Sequence, residues 1–253
     1  MNKILNLVLA SMCLMLLAAC LSKAVAATTN KTSAGCGSDF TDSRDNQVYP
    51  TVQIGSQCWM AKNLNYGSRV SGNDNKTHKR SGVQKICYDN LESNCDIYGG
   101  LYSWKETVNG ENSGSIKYVV GSSNVIQGVC PDGWHVPSDE EFKTLEMQLG
   151  MTQAQANTMY GRSNDQGLQL KSTTGWLSNG NGTNSSGWSG LPGGYRNNSG
   201  STFSNVGAGG YWWSSSENRS SSAWRRALVY VNATVHRFTY NKSYGFSVRC
   251  LLN

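Results

Sequence analysis

Three carboxylates stand together at Asp139, Glu140 and Glu141, and a cluster of this kind could move protons as a general acid and base. Ser138 precedes them, and Ser138 with Glu141 forms the S-x-x-E pattern of a helix capping box. Acidic side chains in a first helical turn also complement the positive end of the helix dipole. The pattern therefore favours a helix start over a catalytic site.

Histidines offer little more chemistry, because His78, His135 and His236 are scattered along the chain and no CxxC pair accompanies them. No motif places a serine or cysteine nucleophile beside His135. The glycine-rich stretch 207–210 lacks the strand-then-helix context of a phosphate loop. We therefore expect no enzyme, no bound metal and no cofactor.

The amino terminus has the pattern of an export signal. Residues 1–20 combine one positive charge with an uncharged apolar run that ends at Ala19, as in a secretory signal peptide. The run is short for a membrane-spanning helix. We therefore expect an exported protein.

The last residues of this segment, Leu17 to Cys20, resemble the bacterial lipobox. That resemblance implies lipidation at Cys20, and residues 21–37 would form a flexible tether. Leu21 follows the cysteine in place of the aspartate that retains many lipoproteins at the inner membrane, so the resemblance implies an outer-membrane or cell-surface lipoprotein. Ordinary cleavage after Ala26 is the alternative and would give a secreted or periplasmic protein.

Cysteine parity agrees with export under either cleavage. Eight cysteines are present, and the loss of Cys13 and the lipidation or removal of Cys20 leave an even set. The remaining six are Cys36, Cys58, Cys87, Cys95, Cys130 and Cys250. An even set in an exported chain indicates disulfides.

Sequence position suggests how these cysteines pair. Cys87 and Cys95 flank the turn-forming pair Asp89–Asn90, so we expect them to be joined locally. A Cys130–Cys250 bond would tie the middle of the domain to its last strand. A Cys36–Cys58 bond would fix the entry segment onto the first hairpin. Other connectivities of six cysteines stay open.

Composition narrows the class further. Charged residues make up 15% of the 253 residues, with 28 glycines and 8 tryptophans, which excludes a coiled coil and a highly charged disordered chain. The formal charge of +6 is modest and dispersed, so we expect no nucleic-acid partner. The composition indicates a loop-rich, aromatic-rich globule.

Local patterns predict both helices and strands, and therefore an α+β domain. A glycine turn at 55–56 between two alternating runs predicts a hairpin. The predicted elements are a hairpin over 48–54 and 57–60, a loop over 65–85, helices over 94–108, from Ser138 to Gly150 and over 152–160, and strands over 224–230, 234–240 and 245–251.

A series of motifs spread over residues 38–253 resembles the Fibrobacter succinogenes major paralogous domain. The residues that carry the resemblance are 40–45 (FTDSRD), 57–66 (QCWMAKNLNY), 87–90 (CYDN), 98–104 (YGGLYSW), 130–137 (CPDGWHVP), 191–196 (LPGGYR) and 245–250 (GFSVRC). The resemblance implies a single domain of C-type-lectin-like, formylglycine-generating-enzyme-like fold, loop-rich and stapled by disulfides.

The activities of those related folds do not carry over. Formylglycine-generating enzymes need a reactive cysteine pair near the C-terminal end, where this chain has only Cys250. Calcium-dependent lectins use Glu-Pro-Asn or Gln-Pro-Asp loops and a Trp-Asn-Asp strand, and none of these occurs here. Resemblance therefore implies the fold more firmly than any chemistry.

A narrower resemblance concerns residues 212–218 (WWSSSEN), Lys242–Ser243 and 245–250, which are similar to the fixed frame of variable regions in diversity-generating retroelement target proteins. In those proteins, mutagenesis of AAY codons at adenines varies chosen positions. The resemblance implies a variable, ligand-binding stretch at about 213–245. Its candidate positions are Arg219, Arg225, Ala227, Val229, Val231, Asn232, Thr234, His236, Phe238, Thr239, Tyr240, Asn241 and Tyr244.

Strand alternation gives these positions a geometry of their own. Side chains of a strand alternate between two faces, so Arg225, Ala227 and Val229 share one face and Trp224, Arg226, Leu228 the other. A turn at 231–233 would bring Thr234, His236 and Phe238 beside the first set, as one contiguous exposed face. An ordinary hairpin with one packed and one solvated side is the alternative.

These observations predict a surface-displayed lipoprotein whose domain binds a protein or carbohydrate ligand without catalysis. Arginine and aromatic side chains on a rigid scaffold suit recognition. The alternative is a carbohydrate-adhesion or cell-wall module in which exposed tryptophans stack on sugar rings. Its candidate residues are Trp176, Trp188, Trp212, Trp213 and Trp224.

Overall fold

The computed structural model describes residues 35–72, 82–110, 115–162, 165–199 and 202–253. The expected signal peptide, lipidation at Cys20, cleavage at Ala26 and nearly all of the tether fall outside these ranges. Residues 36–253 form one unit. Within the described ranges, no helix has the length and apolar character needed to cross a membrane.

The strands are mostly short, and only three of them exceed six residues. They are β1 (Phe40–Thr41), β2 (Val48–Tyr49), β3 (Thr51–Ile54), β4 (Gln57–Met60), β5 (Ser68–Val70), β6 (Gln84–Ile86), β7 (Trp134–His135), β8 (Tyr160–Arg162), β9 (Gly193–Arg196), β10 (Phe203–Val206), β11 (Gly209–Arg219), β12 (Ser222–Val229), β13 (Val235–Asn241) and β14 (Leu251–Leu252).

The helices are short as well. They are α1 (Glu92–Tyr98), α2 (Trp104–Asn109), α3 (Asp139–Gln148), α4 (Gln153–Asn157) and α5 (Gln166–Leu170), with single 3-10 turns at Tyr88–Asn90 and Leu177–Asn179.

Two larger sheets organise the domain. The six-stranded sheet has the order β10-β9-β11-β12-β13-β8, and the four-stranded sheet has the order β3-β4-β14-β7. Two small pairs, β1–β2 and the parallel β5–β6, complete the described strands. The architecture is thus mixed α and β with sheet predominating, which agrees at that level with the α+β prediction.

The strongest local signals formed the expected elements. β3 and β4 pair antiparallel around Gly55, whose φ of +60° suits a tight turn. Helix α3 begins at a complete capping box, because the Ser138 side chain accepts from the Glu141 N–H and Glu141 accepts in return from the Ser138 N–H. Helix α3 ends just before Gly150, which has a φ of +109°.

Three predicted elements are wrong in extent. The helix predicted over 152–160 covers only Gln153–Asn157, and Tyr160 already belongs to β8. The helix predicted over 94–108 is divided into two helices at Gly99. The backbone of Gly99 has a φ of +80°, which is not helical, and a Cβ atom at this position would lie only 2.7 Å from the Asn63 Cβ. Leu101 then bridges to Ile86 instead of continuing the helix. The final strand covers only Leu251–Leu252, and the residues before it make isolated bridges.

The loop over 65–85 is also wrong in part, because it contains β5 and the start of β6. This pair is parallel, with Ser68 opposite Gln84. Parallel pairing between distant segments leaves no turn signature in the sequence.

Three disulfides join the pairs expected from the sequence: Cys36–Cys58, Cys87–Cys95 and Cys130–Cys250. The Cys130–Cys250 bond links residues 120 positions apart, and its sulfurs lie in the hydrophobic core. A crosslink over so long a stretch restricts the unfolded chain strongly.

The tryptophans build the core. Seven of the eight are buried, among them Trp188, whose ring contacts those of Trp59 and Trp212 edge to face. Trp224 is half-buried, and the guanidinium of Arg237 lies 3.7 Å from its ring centre. Four of the five candidates for sugar stacking are therefore not exposed, namely Trp176, Trp188, Trp212 and Trp213.

Candidate ligand-binding face

Strand register sorts the candidate residues onto the six-stranded sheet. Arg225 of β12 lies opposite Trp213 of β11 and Phe238 of β13, and the next row aligns Ala227 with Tyr211 and His236. Because side chains alternate along each strand, both rows point to the same side. We call this side, with Tyr240, the outer face.

Residues 230–234 connect β12 and β13, and this connection includes the turn predicted at 231–233. Within this stretch Val231 and Asn232 are exposed, and Val231 is 67% exposed. Arg219 and Asn241, near the opposite ends of these strands, are exposed as well. The candidates that are half-buried are Val229, Thr234, His236, Phe238, Thr239, Tyr240 and Tyr244.

One contiguous exposed face is nevertheless wrong, because Arg225 and Ala227 are buried, at 8% and 1% exposure. Phe246 and Tyr211 belong to the cluster that packs over this part of the sheet. Thr239 does not belong to the outer face either, because it lies opposite Trp224 and its side chain therefore points to the other side of the sheet. The exposed candidates surround a buried centre.

That centre is an aromatic box around the Arg225 guanidinium. Its carbon lies 4.5 Å from the ring centre of Tyr240, 5.1 Å from that of Tyr211 and 5.8 Å from that of Phe246. These distances are within cation–π range. Tyr195 and Tyr244 extend the box through ring contacts at 5.0 Å with Tyr211 and Tyr240 respectively.

The guanidinium is held without a carboxylate. None of the ion pairs among the described residues includes Arg225, and its Nε and Nη1 atoms are buried without a hydrogen-bond partner there. Burial lowers the pKa of Arg225, while the nearby Tyr240 and Tyr211 hydroxyls act in the opposite direction. An arginine remains protonated at neutral pH, so the box contains an uncompensated positive charge.

The charge influences its neighbours. Burial, followed by the Arg225 and Arg162 charges, lowers the pKa of His236. Its Nε2 atom lies 3.1 Å from the Thr234 hydroxyl. The imidazole is therefore neutral at pH 7 and can offer both a donor and an acceptor.

Sequence reasoning missed residues that come from outside the variable stretch. Tyr160 of β8 is 65% exposed, and its ring lies 5.0 Å from that of Phe238. Its backbone pairs opposite Arg237, whose side chain lies on the other side of the sheet, but Tyr160 has a φ of +70° and so departs from regular strand alternation. Tyr195 and Tyr211 were missed too, and strand pairing across distant segments gives no signal that would have found them.

The opposite side, which we call the inner face, carries the carboxylates that first suggested chemistry. Asp139 Oδ1 accepts from Arg226 at 2.6 Å, and its Oδ2 accepts from Arg237 at 2.6 Å. Glu146 accepts from Arg226 Nε at 2.5 Å and from Arg162 at 2.7 Å. Glu141 serves the capping box and lies 2.9 Å from His135 Nε2. Asp139 and Glu146 thus fix helix α3 to the six-stranded sheet, and Glu141 connects the helix to β7 of the four-stranded sheet.

A metal centre has little support in the described part of the chain. The only group of suitable ligands found there is Cys87, Glu92 and Cys95. Its two cysteines are joined in a disulfide, so they offer no thiolate to a metal.

Three disulfides staple the frame that holds Arg225 in its box of aromatic rings. The chain belongs to the Fibrobacter succinogenes major domain family, whose model matches residues 52–251. Neither a curated protein nor a solved structure matches the chain.

Proposed function

We propose that this protein is a non-catalytic binding module whose outer face recognises a protein ligand. The observation that carries the proposal is Arg225, a buried cation inside a tyrosine-lined box, whose donor nitrogens Nε and Nη1 have no hydrogen-bond partner among the described residues. A buried donor without a partner costs free energy, and an acceptor supplied by a ligand recovers that cost. Tyrosine and arginine also dominate the energetic centres of protein interfaces.

The charge of the box favours one kind of ligand group. The Arg225 charge has no carboxylate partner in the box, so its potential attracts an acidic side chain. The half-buried Phe238 and exposed Tyr160 supply apolar contact area beside it. We expect ligands in which an acidic residue is flanked by apolar ones.

Selection from a phage-displayed random peptide library on the full-length protein tests this proposal. Enriched peptides should contain aspartate or glutamate, and the variants Phe238→Ser and Arg225→Gln should reduce their binding at least about tenfold. The variant Arg44→Gln cannot serve as the control, because Arg44 pairs with the buried Asp42 and its loss would leave that carboxylate without its partner. The exposed Gln53→Leu serves instead. Equal binding by all variants would refute the assignment of the site.

We further propose that the fold is C-type-lectin-like and that the stretch 213–245 is diversified. In support, the expected fixed frame is buried at Trp212, Trp213 and throughout 245–250, whereas eleven of the thirteen candidate positions are exposed or half-buried. A surface can vary at such positions while the frame maintains the fold. The locus should then contain a reverse transcriptase gene and a near-copy of the variable segment that differs at adenines. A locus without both would contradict diversification.

We also propose that Cys20 carries the lipid that anchors the protein at the outer membrane or cell surface. Support comes from the lipobox-like residues 17–20. Labelling of growing cells with an alkyne analogue of palmitate should mark the protein, and Cys20→Ser should abolish the label. A wild-type product that is unlabelled and freely secreted would favour cleavage after Ala26.

A further inference from the structure

Tyr160 combines a strained backbone with an exposed ring. Its φ of +70° lies in the left-handed region, where a bulky side chain is an outlier. Eight other described residues besides glycine have a positive φ, and all of them are asparagine, aspartate or serine. Asparagine and aspartate tolerate this conformation because their short polar side chains form local hydrogen bonds. A tyrosine is therefore not the residue that this backbone favours.

The contacts on either side explain why the chain turns at this point. Helix α4 ends at Asn157, whose carbonyl accepts from Arg237 Nη1 at 3.0 Å. Arg162 is 3% exposed and donates to the Glu146 carboxylate and to the Ala156 carbonyl, each at 2.7 Å. With both ends held, the chain has to turn within residues 158–161. Glycine or asparagine would make this turn at a lower cost, so the fold requires the conformation but not the ring.

The fold uses little of this ring. Tyr160 is 65% exposed, and its ring centre lies 5.0 Å from that of Phe238. The neighbouring Gly161 has no side chain, and a Cβ atom there would lie 3.1 Å from His236 Cε1. The glycine thus lets the imidazole pack against β8. The outer face therefore continues from β13 across β8 to the Tyr160 ring.

A strained and exposed aromatic residue points to recognition. Residues in such conformations cost free energy, and they cluster at ligand-binding sites. Tyrosine is also among the residue types that dominate the energetic centres of protein interfaces. A tilted pair of aromatic rings offers apolar area to an aliphatic or aromatic side chain.

We propose that Tyr160, packed on Phe238, is an anchor of the outer face that receives an apolar side chain of the protein ligand. This role rests on the protein recognition proposed above and names the residue that selects the apolar part of the ligand. Tyr160 lies outside the stretch 213–245, so it stays constant when that stretch varies. A change that relieves the backbone of Tyr160 should therefore weaken binding without weakening the fold.

Peptides enriched on the wild-type, full-length protein serve as probes, with their affinities measured by fluorescence anisotropy. Tyr160→Asn should weaken their binding about tenfold or more, because the ring is lost. Tyr160→Phe keeps the ring and should bind within about twofold of wild type. Tyr118→Asn, the same change at an exposed tyrosine outside the six-stranded sheet, should leave the affinity unchanged.

Two further measurements separate an anchor from a structural residue. Tyr160→Asn should unfold at a urea midpoint equal to or above that of wild type, because asparagine adopts the left-handed backbone more readily. A second library selection, on Tyr160→Asn, should no longer enrich an apolar residue beside the acidic one. A purely structural role of the ring would not change this preference.

Each arm has an outcome that would overturn the anchor. Wild-type affinity of Tyr160→Asn for the peptides would remove the anchor and leave recognition by the outer face in place. A clearly lower urea midpoint of Tyr160→Asn would show that the ring serves the fold. A library that yields no peptide for the wild-type protein would refute the proposed function itself, and the anchor with it.

Discussion

Arg225 and Arg226 are consecutive in sequence and lie on opposite faces of one sheet, yet their surroundings differ completely. Arg226 is bonded to Asp139 and Glu146, whereas Arg225 is surrounded by the rings of Tyr211, Tyr240 and Phe246. Glu146 and Asp139 raise the pKa of Arg226 despite its burial, while burial lowers that of Arg225. The inner face uses charge to hold the fold together, and the outer face keeps a charge that no internal carboxylate neutralises.

This difference distinguishes an arginine that stabilises the fold from an arginine that is held ready to bind a ligand. A buried ion pair is costly to break because the partner is left charged and desolvated. A guanidinium held by rings leaves no orphan carboxylate when it is removed. Burial by itself therefore does not reveal which arginine maintains stability.

The largest effect is expected from Arg226→Met. This change leaves Asp139 and Glu146 with fewer cations in a buried setting and should lower the free energy of unfolding by about 3 to 5 kcal/mol. Urea unfolding followed by tryptophan fluorescence measures it. The exposed Glu140→Gln on the same helix provides the control and should cost less than about 1 kcal/mol. A small effect of Arg226→Met would remove the contrast between the faces.

Acid should weaken the inner face in a defined pH window. Although burial opposes the shift, Arg237 and Arg226 lower the pKa of Asp139 to about 2, from 3.8. Because the folded-state pKa is the lower one, the stabilisation is complete above about pH 4 and is lost as the pH falls through 2. It should amount to about 2 kcal/mol. Unfolding curves between pH 5 and pH 2 should show this loss, and Asp139→Asn should lack it.

Arg225→Met should alter the free energy of unfolding by no more than about 1 kcal/mol, because lost cation–π attraction and relieved desolvation offset each other. The same urea experiment compares it directly with Arg226→Met. A loss as large as that of Arg226→Met would show that the box is a structural element and would weaken the proposed recognition role.

The smallest effect concerns His236, which reports the charge of the box. Burial and then Arg225 lower its pKa, so removal of Arg225 should raise that pKa toward 6.5 while burial keeps it below. NMR titration of the imidazole resonances in wild type and Arg225→Met measures the shift. An unchanged His236 pKa would mean that the Arg225 charge does not act on this neighbouring side chain.

The local sequence determined several elements of the fold. The hairpin at Gly55, the capping box at Ser138 and the alternation along β12 are consequences of turn chemistry and strand geometry over a few residues. The pairing of Cys87 with Cys95 was predictable because the two cysteines flank a turn. These features depend on neighbours in the chain, which the sequence shows directly.

Only the tertiary structure decided which face of the sheet became covered and by what. Alternation places Arg225 and Ala227 on one side but does not tell that Phe246 and Tyr211 pack over them. Nor does it reveal that the Tyr160 ring contacts Phe238 on the outer face. These contacts join residues far apart in the chain, and their formation depends on the pairing of distant strands and on the packing of side chains between them.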